Sequence, residues 1–201
     1  MTESHSRNSP SMGQAVLVKV FKFLRRFKPA RERVTIGEFN DLVEREHVAR
    51  YQFARQFCKG KKVADIACGT GYGTKILSEV AESVVGFDKE PLCGNRVVNL
   101  EAECWPGRYD VIVSFETIEH LDNPEFLLEN ASRTADMLVV SSPIGEILGY
   151  NPHHKQVWTL PEFTKLLEKR FRCEFFYQKG ETISDKPTRP VGYVIATCVP
   201  K

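Results

Sequence analysis

Short apolar runs alternate with amphipathic helical stretches along most of this chain. From Glu38 to Cys58, the residues Phe39, Leu42, Val43, His47, Tyr51, Ala54 and Phe57 or Cys58 recur at helical spacing and predict one long helix. Lys59 to Lys62 lead into a strand over Val63–Ala67, and beyond a glycine-rich turn Ile76, Leu77 and Val80 mark a second helix. Ser83–Asp88, Val97–Leu100, Tyr109–Phe115 and Met137–Ser141 read as further strands. Asn123-Pro124 opens a helix that runs to about Arg133. Thr159-Leu160-Pro161-Glu162 fits a capping box with proline in the first turn, which starts another helix ending near Arg170. Phe171–Gln178 and Val191–Val199 then form two strands joined by a polar, turn-rich segment, an antiparallel, hairpin-like ending.

This order predicts an α/β fold: a doubly wound, mostly parallel Rossmann-like sheet with an antiparallel C-terminal strand. One connection breaks the rule. Only about eight residues separate Asp88 from the third strand, whereas a parallel crossover takes a dozen or more. The second crossover helix is therefore expected to be reduced or absent.

Ahead of the fold, residues 1–13 are polar and serine-rich, as in a disordered tail. Residues 14–33 place Leu17, Val20, Phe21, Leu24 and Phe27 on one helical face, with Lys19, Lys22, Arg25, Arg26 and Lys28 mostly elsewhere. Such a basic amphipathic helix has three readings: docking on the domain with solvated charges, peripheral contact with an anionic membrane surface, or contact with RNA. Residues 14–58 are read as N-terminal helices and 59–201 as the cofactor-binding domain.

At 201 residues and 42% hydrophobic content the chain fits one domain with a sizeable core. A formal charge of +2 gives no bulk electrostatic case for nucleic acid as a partner. Six cysteines show no C-x-x-C pair and no zinc spacing, and several fall inside apolar strand patterns, where cysteine acts as a small filler. A reducing cytoplasm is the simplest setting. The apolar run after the tail is interrupted by Lys19 and Lys22, too short and too charged for a membrane span or a secretory signal.

The chemistry begins at Val63-Ala64-Asp65-Ile66-Ala67-Cys68-Gly69-Thr70-Gly71-Tyr72-Gly73-Thr74, a strand joined to a helix through three alternate glycines. Glycines there permit positive φ and close approach of a ligand, and the helix start presents unpaired N–H groups. Asp88 closes the next strand, at the distance from the turn where an acid accepts hydrogen bonds from a ribose diol. Strand, turn, helix, strand and acid in this order point to a nucleoside-cofactor site. Directly after the fourth strand come Glu116-Thr117-Ile118-Glu119-His120, at the carboxyl edge of the sheet where open α/β folds bind ligands. In a helical turn, Glu116, Glu119 and His120 would share one face. Two carboxylates and an imidazole there suit a divalent cation or a general base.

Taken together, the Asp65–Gly73 turn, Asp88 and the block Tyr109–Leu121 resemble the class I S-adenosylmethionine-dependent methyltransferases, over residues 47–178. The resemblance implies a seven-stranded sheet with one reversed strand and S-adenosyl-L-methionine as cofactor. It places the turn from Asp65 through Ala67 to Gly69 and Gly71 against the cofactor's methionine part, Asp88 on the ribose and Phe115 at the cofactor's border. Ala67 stands where many members have glycine. Arg50 or Tyr51 resembles a position that reaches the cofactor carboxylate, for which a guanidinium is suited, the other reading of Arg50 being a solvated helix residue. Asn99, Leu100 and Glu101 correspond to adenine neighbours.

Asn151-Pro152-His153-His154-Lys155-Gln156-Val157-Trp158-Thr159 further resembles a segment of metal-dependent O-methyltransferases, among them the small-RNA 3′-terminal 2′-O-methyltransferases and the ubiquinone-pathway enzymes. By that resemblance Glu116, Glu119, His120 and His154 bind Mg2+ beside the acceptor hydroxyl. A metal-free polar acceptor site, with His120 or His154 as base, and a purely structural role are the other two readings. The expected reaction is methyl transfer from S-adenosyl-L-methionine to a hydroxyl on a small molecule, a glycan or a lipid-linked intermediate. An RNA 2′-hydroxyl and a non-catalytic cofactor-binding module are the alternatives.

Overall fold

The computed structural model describes residues 42–187 and 192–201. The tail at 1–13, the amphipathic helix at 14–33 and the first residues of the helix expected from Glu38 lie outside the described residues. Helix α1, Leu42–Cys58, buries Tyr51, Ala54 and Cys58 along one stripe. It ends before Gly60, whose φ of 65° reverses the chain into strand β1, Lys62–Ile66. After the glycine turn come α2, Tyr72–Ser78, and β2, Ser83–Asp88. The elements that follow are β3, Arg96–Val97; β4, Tyr109–Ser114; a 3-10 turn at Ile118–His120; α3, Pro124–Thr134; and β5, Ala135–Pro143. Helix α4, Leu160–Glu168, precedes β6, Phe171–Lys179, β7, Thr182–Ser184, and β8, Tyr193–Pro200.

The strands form one sheet in the order β3-β2-β1-β4-β5-β8-β6-β7. The first five run parallel, and β8 inserts antiparallel between β5 and β6. Alternation along the strands divides the core into two layers. Ile112 and Leu138 face a layer filled by Leu127 of α3 and Phe163 of α4. Val111, Val113 and Val139 face the opposite layer, filled by Tyr51 and Ala54 of α1 and Leu77 of α2. The capping box at the start of α4 is complete: the Thr159 hydroxyl accepts from the Glu162 N–H, and the Glu162 carboxylate accepts from the Thr159 N–H at 2.8 Å.

The doubly wound sheet and its reversed strand are as expected, and no helix lies between β2 and β3. Three details differ from the sequence reading. Strand β3 spans two residues rather than Val97–Leu100, because Val98 and Leu100 turn inward to the core while Asn99 starts a turn. Strands β1 and β4 each stop one residue early, where Ala67 and Glu116 bring the chain into positive φ, 60° and 50°. Strand β7, short and polar, pairs with β6 through Tyr177 and Ser184 and was not anticipated.

Candidate active site

The glycine turn is bent by three alternate left-handed residues, Ala67 at φ 60°, Gly69 at 56° and Gly71 at 81°. For alanine this conformation costs about 1 kcal/mol or more; the two glycines adopt it freely. Two braces hold the turn. The Asp65 carboxylate, fully buried, accepts from the Tyr51 hydroxyl at 3.0 Å and the Thr74 hydroxyl at 2.6 Å. Burial pushes its pKa up to about 6, against the two hydrogen bonds, which lower it. Asp88, at the carboxyl end of β2, accepts from the Gly69 N–H at 2.9 Å and the Glu90 N–H at 3.2 Å. A carboxylate offers roughly four acceptor positions, so this bracing is compatible with accepting from a ribose diol. Gly73 leaves room for Tyr51: a Cβ there would lie 2.0 Å from the ring.

Tyr51 also packs edge-on to Phe115, ring centroids 5.0 Å apart, and to Tyr72 at 5.6 Å. The Tyr72 hydroxyl donates to Nδ1 of half-buried His47, whose imidazole pKa is held well below its ordinary value by desolvation and by the nearby Arg50 charge. Aromatic rings thus floor the turn. Asn99, Leu100 and Glu101 lie on the connection after β3. Leu100 is buried in the core, the Asn99 side chain accepts from the Glu101 N–H, and Glu101 accepts from the N–H groups of Asp122 and Asn123.

Arg50 is not a solvated helix residue: it is 1% exposed. Its Nη1 donates to Gln178 Oε1 at 2.7 Å, its guanidinium lies 4.4 Å over the Tyr193 ring, and Nη2 stands 3.9 Å from Glu116. Nε has no hydrogen-bond partner among the described residues. Gln178 is itself locked by the carbonyls of Glu46 and Gly180, both at 2.8 Å. The guanidinium therefore joins α1 to the β6–β8 end of the sheet.

The shared face expected of Glu116, Glu119 and His120 does not form. Positive φ at Glu116 swings that side chain away from the 3-10 turn, toward Arg50 and Ser141. Ser141 Oγ accepts from the Glu116 N–H at 3.2 Å and donates to Oε1 at 2.8 Å. The structure gathers Glu119, His120 and His154 instead, with ligand atoms all within 4.8 Å of one another. Glu119 is 0% exposed, and both carboxylate oxygens lack a hydrogen-bond partner among the described residues. Its pKa is raised well above the carboxylate range, first by burial and next by the Glu116 charge.

The 151–156 loop closes over this acid, with the N–H groups of Lys155 and Gln156 both donating to the Glu119 carbonyl at 2.9 Å. His120 Nδ1 donates to the His153 carbonyl at 2.9 Å, which makes Nε2 the acceptor nitrogen of that ring. The His154 tautomer follows from its neighbours. The His153 N–H donates to Asn151 Oδ1 at 3.1 Å, turning the Asn151 amide N–H toward His154 Nε2 at 2.8 Å. Nδ1 of His154 then donates to Glu146 at 2.5 Å. Glu146, Asn151, Ser141, Gln178 and Tyr193 escaped the sequence reading. Glu146 carried one signal, its place just past β5 at the sheet's carboxyl edge.

These residues fit both groups that the resemblance implies. Left-handed turn residues and Asp88 suit a nucleoside cofactor. A buried carboxylate without a partner, beside His120 whose Nδ1 is held by an oxygen acceptor, suits a cation with supporting outer contacts, and His154 joins them where the ion takes the place of the Asn151 amide N–H on its Nε2. Three of the four expected ligands converge, and Glu116 stands apart.

A model of a methyltransferase domain matches residues 39–144, just over half of the chain. A protein of Mycolicibacterium smegmatis described as a "probable S-adenosylmethionine-dependent methyltransferase" is 32% identical over 145 residues, 62% of this chain and 56% of its own length. The ubiquinone biosynthesis O-methyltransferase of Proteus mirabilis is 32% identical over 91 residues, 37% of each. The chain thus spans little more than half of the first relative's length and less of the second's. Among solved structures, a TehB-like S-adenosylmethionine-dependent methyltransferase of Corynebacterium glutamicum superposes with a TM-score of 0.60, covering 96% of this chain and 100% of its own at 16% identity. Sheet order, reversed strand, glycine turn and the matched domain lead to one assignment: the chain belongs to the class I S-adenosylmethionine-dependent methyltransferases.

Proposed function

We propose that this chain transfers a methyl group from S-adenosyl-L-methionine to a hydroxyl held against Glu119, His120 and His154. The observation that carries the reading is Glu119, fully buried with no hydrogen-bond partner for its carboxylate among the described residues, beside two histidines at the carboxyl edge of the sheet. Burying an acid in this way is costly unless a proton, a cation or a substrate donor meets it. Similarity to the Proteus ubiquinone-pathway enzyme favours oxygen as the methylated atom. The acceptor class is a small molecule, a glycan or a lipid-linked intermediate.

In this reading the Asp65–Gly71 turn and Asp88 hold the cofactor, Phe115 and Tyr51 border it, and Arg50 faces its carboxylate. When bound, the cofactor supplies a methyl group on a positively charged sulfur, open to in-line attack by the acceptor oxygen. Glu119, His120 and His154 would hold a divalent cation, Mg2+ by the family resemblance, whose chemistry is to lower the hydroxyl pKa. The chain's own work is to orient and to take the proton. His120, with Nδ1 on the His153 carbonyl, offers Nε2 as the proton acceptor. His154 is tied to Glu146 and Asn151 and fixes the far wall.

Calorimetry with S-adenosyl-L-methionine tests the donor half, and an absence of binding at millimolar cofactor would sink it. Tritiated cofactor with a panel of hydroxyl acceptors, with and without chelator, tests the other half. Full transfer in excess chelator removes the cation from the reading. Full transfer by Glu119→Ala removes the acceptor site itself.

A further inference from the structure

The connection without a helix between β2 and β3 carries a feature that methyl transfer does not use. Asn95 knots this segment: its Oδ1 accepts from the N–H groups of Leu92 at 3.0 Å and Cys93 at 3.2 Å, and its Nδ2 donates to the Glu90 carbonyl at 2.9 Å. The knot sets Cys93 over the glycine turn. Its Sγ lies 3.6 Å from the Gly69 carbonyl, and a Cβ on Gly71 would fall 2.6 Å from that sulfur. Cys68 occupies the turn itself, buried, with its Sγ where a Cβ on Gly86 would meet it at 2.9 Å. Cys93 Sγ therefore stands against the two glycines that follow Cys68, one of which, Gly71, also donates its N–H to the Cys68 carbonyl at 3.0 Å. Cys93 is exposed and Cys68 buried, so one thiol meets solvent reagents while the other waits behind it.

We propose that Cys68 and Cys93 form a reversible redox modification site, oxidised by a small disulfide of the glutathione class, that clamps the 89–95 segment onto the cofactor cradle. The Cys93 thiolate attacks one sulfur of the oxidant, breaking its S–S bond and releasing one thiolate, which takes the proton Cys93 gave up. The Cys68 thiolate then attacks Cys93 Sγ in the mixed disulfide, forming the Cys68–Cys93 bond and expelling the second small thiol with the Cys68 proton. The two cysteines lose two electrons and the oxidant gains them. Exposed Cys93 is the entry point, since burial and the neighbouring Asp65 charge raise the Cys68 pKa and disfavour its thiolate. In the reduced protein the segment rests on the turn through the contact of Cys93 Sγ with the Gly69 carbonyl. In this proposal a covalent bond at the same place pins the segment there and obstructs cofactor entry between Gly69, Gly71 and Asp88. This last consequence rests on the cofactor reading above.

The test uses the full chain, incubated with oxidised glutathione and digested without reductant. Peptide mapping is required, because Cys173 and Cys198 also face each other, Sγ atoms 2.9 Å apart across β6 and β8. The expected result is a linked Cys68–Cys93 peptide. Calorimetry then shows S-adenosyl-L-methionine affinity falling about tenfold or more on oxidation and returning with dithiothreitol. Cys93→Ser shows the same affinity before and after oxidant. A stable Cys93–glutathione adduct without the linked peptide, or a linked peptide with unchanged affinity, overturns the proposal. A reduced protein that does not bind the cofactor overturns the functional reading instead, and the linked peptide alone then decides whether the thiols pair.

Discussion

Exchanging Glu119 for glutamine should stabilise the cation-free protein while removing its activity. The side chain is fully buried, and the causes acting on it are unequal: burial and the Glu116 charge raise its pKa, and Arg50 and its own backbone oppose them less. An acid whose folded pKa lies above its unfolded value contributes stability that is complete below about 4.5 and is lost as pH climbs through the folded value. At pH 5 the folded protein keeps the proton and the exchange is close to neutral. At pH 8 the wild type carries either a proton held against solvent or a buried charge worth several kcal/mol of penalty. An unpaired amide costs only about 1–3 kcal/mol. Glu119→Gln should therefore gain about 1–3 kcal/mol at pH 8, which raises the melting temperature by roughly 2–12 °C for a chain of this length.

Differential scanning calorimetry in chelator, at both pH values, measures the difference. If the proposed cation site exists, added magnesium should raise the melting temperature of the wild type and leave the variant unchanged, because the variant lacks the one charged ligand of the three. Methyl transfer should fall about 100-fold or more. A variant less stable than wild type at pH 8, or an equal shift at both pH values, refutes the claim that this carboxylate lacks a partner.

Three further outcomes follow from the braces around the turn and the capped helix. Tyr51→Phe removes a donor from buried Asp65 and should cost about 1–3 kcal/mol in urea unfolding. That hydrogen bond holds down the Asp65 pKa, which burial nevertheless raises to about 6; without it the pKa climbs further, so the variant should also lose more stability than wild type as pH rises from 4 to 8. Gly73→Ala drives a Cβ to 2.0 Å from the Tyr51 ring, and calorimetry should find weaker cofactor binding together with about 1–3 kcal/mol of destabilisation. Thr159→Ala breaks the capping box of α4 far from the cofactor and should cost about 1 kcal/mol without changing cofactor affinity.

The sheet was legible because each strand announces itself locally. Val111-Ile112-Val113 and Leu138-Val139-Val140 are apolar on both sides, as strands covered by two helical layers must be. The missing helix after Asp88 was legible as a count of residues. Strand β3 was misjudged because Val98 and Leu100 look like strand residues, yet they fill the core from a turn. Periodicity reports that a side chain is buried, and it does not report which backbone conformation buries it. Arg50 shows the same limit from the charged side. A basic residue on a helix reads as solvated until Gln178 and Tyr193, more than a hundred positions away, are folded against it.

The Glu116–His120 segment divides on a single backbone angle. Spacing placed Glu116, Glu119 and His120 together on the premise of a regular helical turn, but Glu116 adopts φ 50° and only the last three residues of the segment wind as a 3-10 turn. The consequence is electrostatic. Arg50, which could have neutralised a mixed cluster, stands beside Glu116, whose carboxylate also takes the Ser141 hydroxyl. Glu119 is left beside two imidazoles, one of them hydrogen-bonded to Asn151 and Glu146, and its carboxylate has no hydrogen-bond partner among the described residues. On the proposed reading this separation assigns the chemistry to the second acid of the motif rather than the first: Glu116 is tied to Arg50 and Ser141, and Glu119 is left for a proton, a metal ion or an acceptor hydroxyl to satisfy.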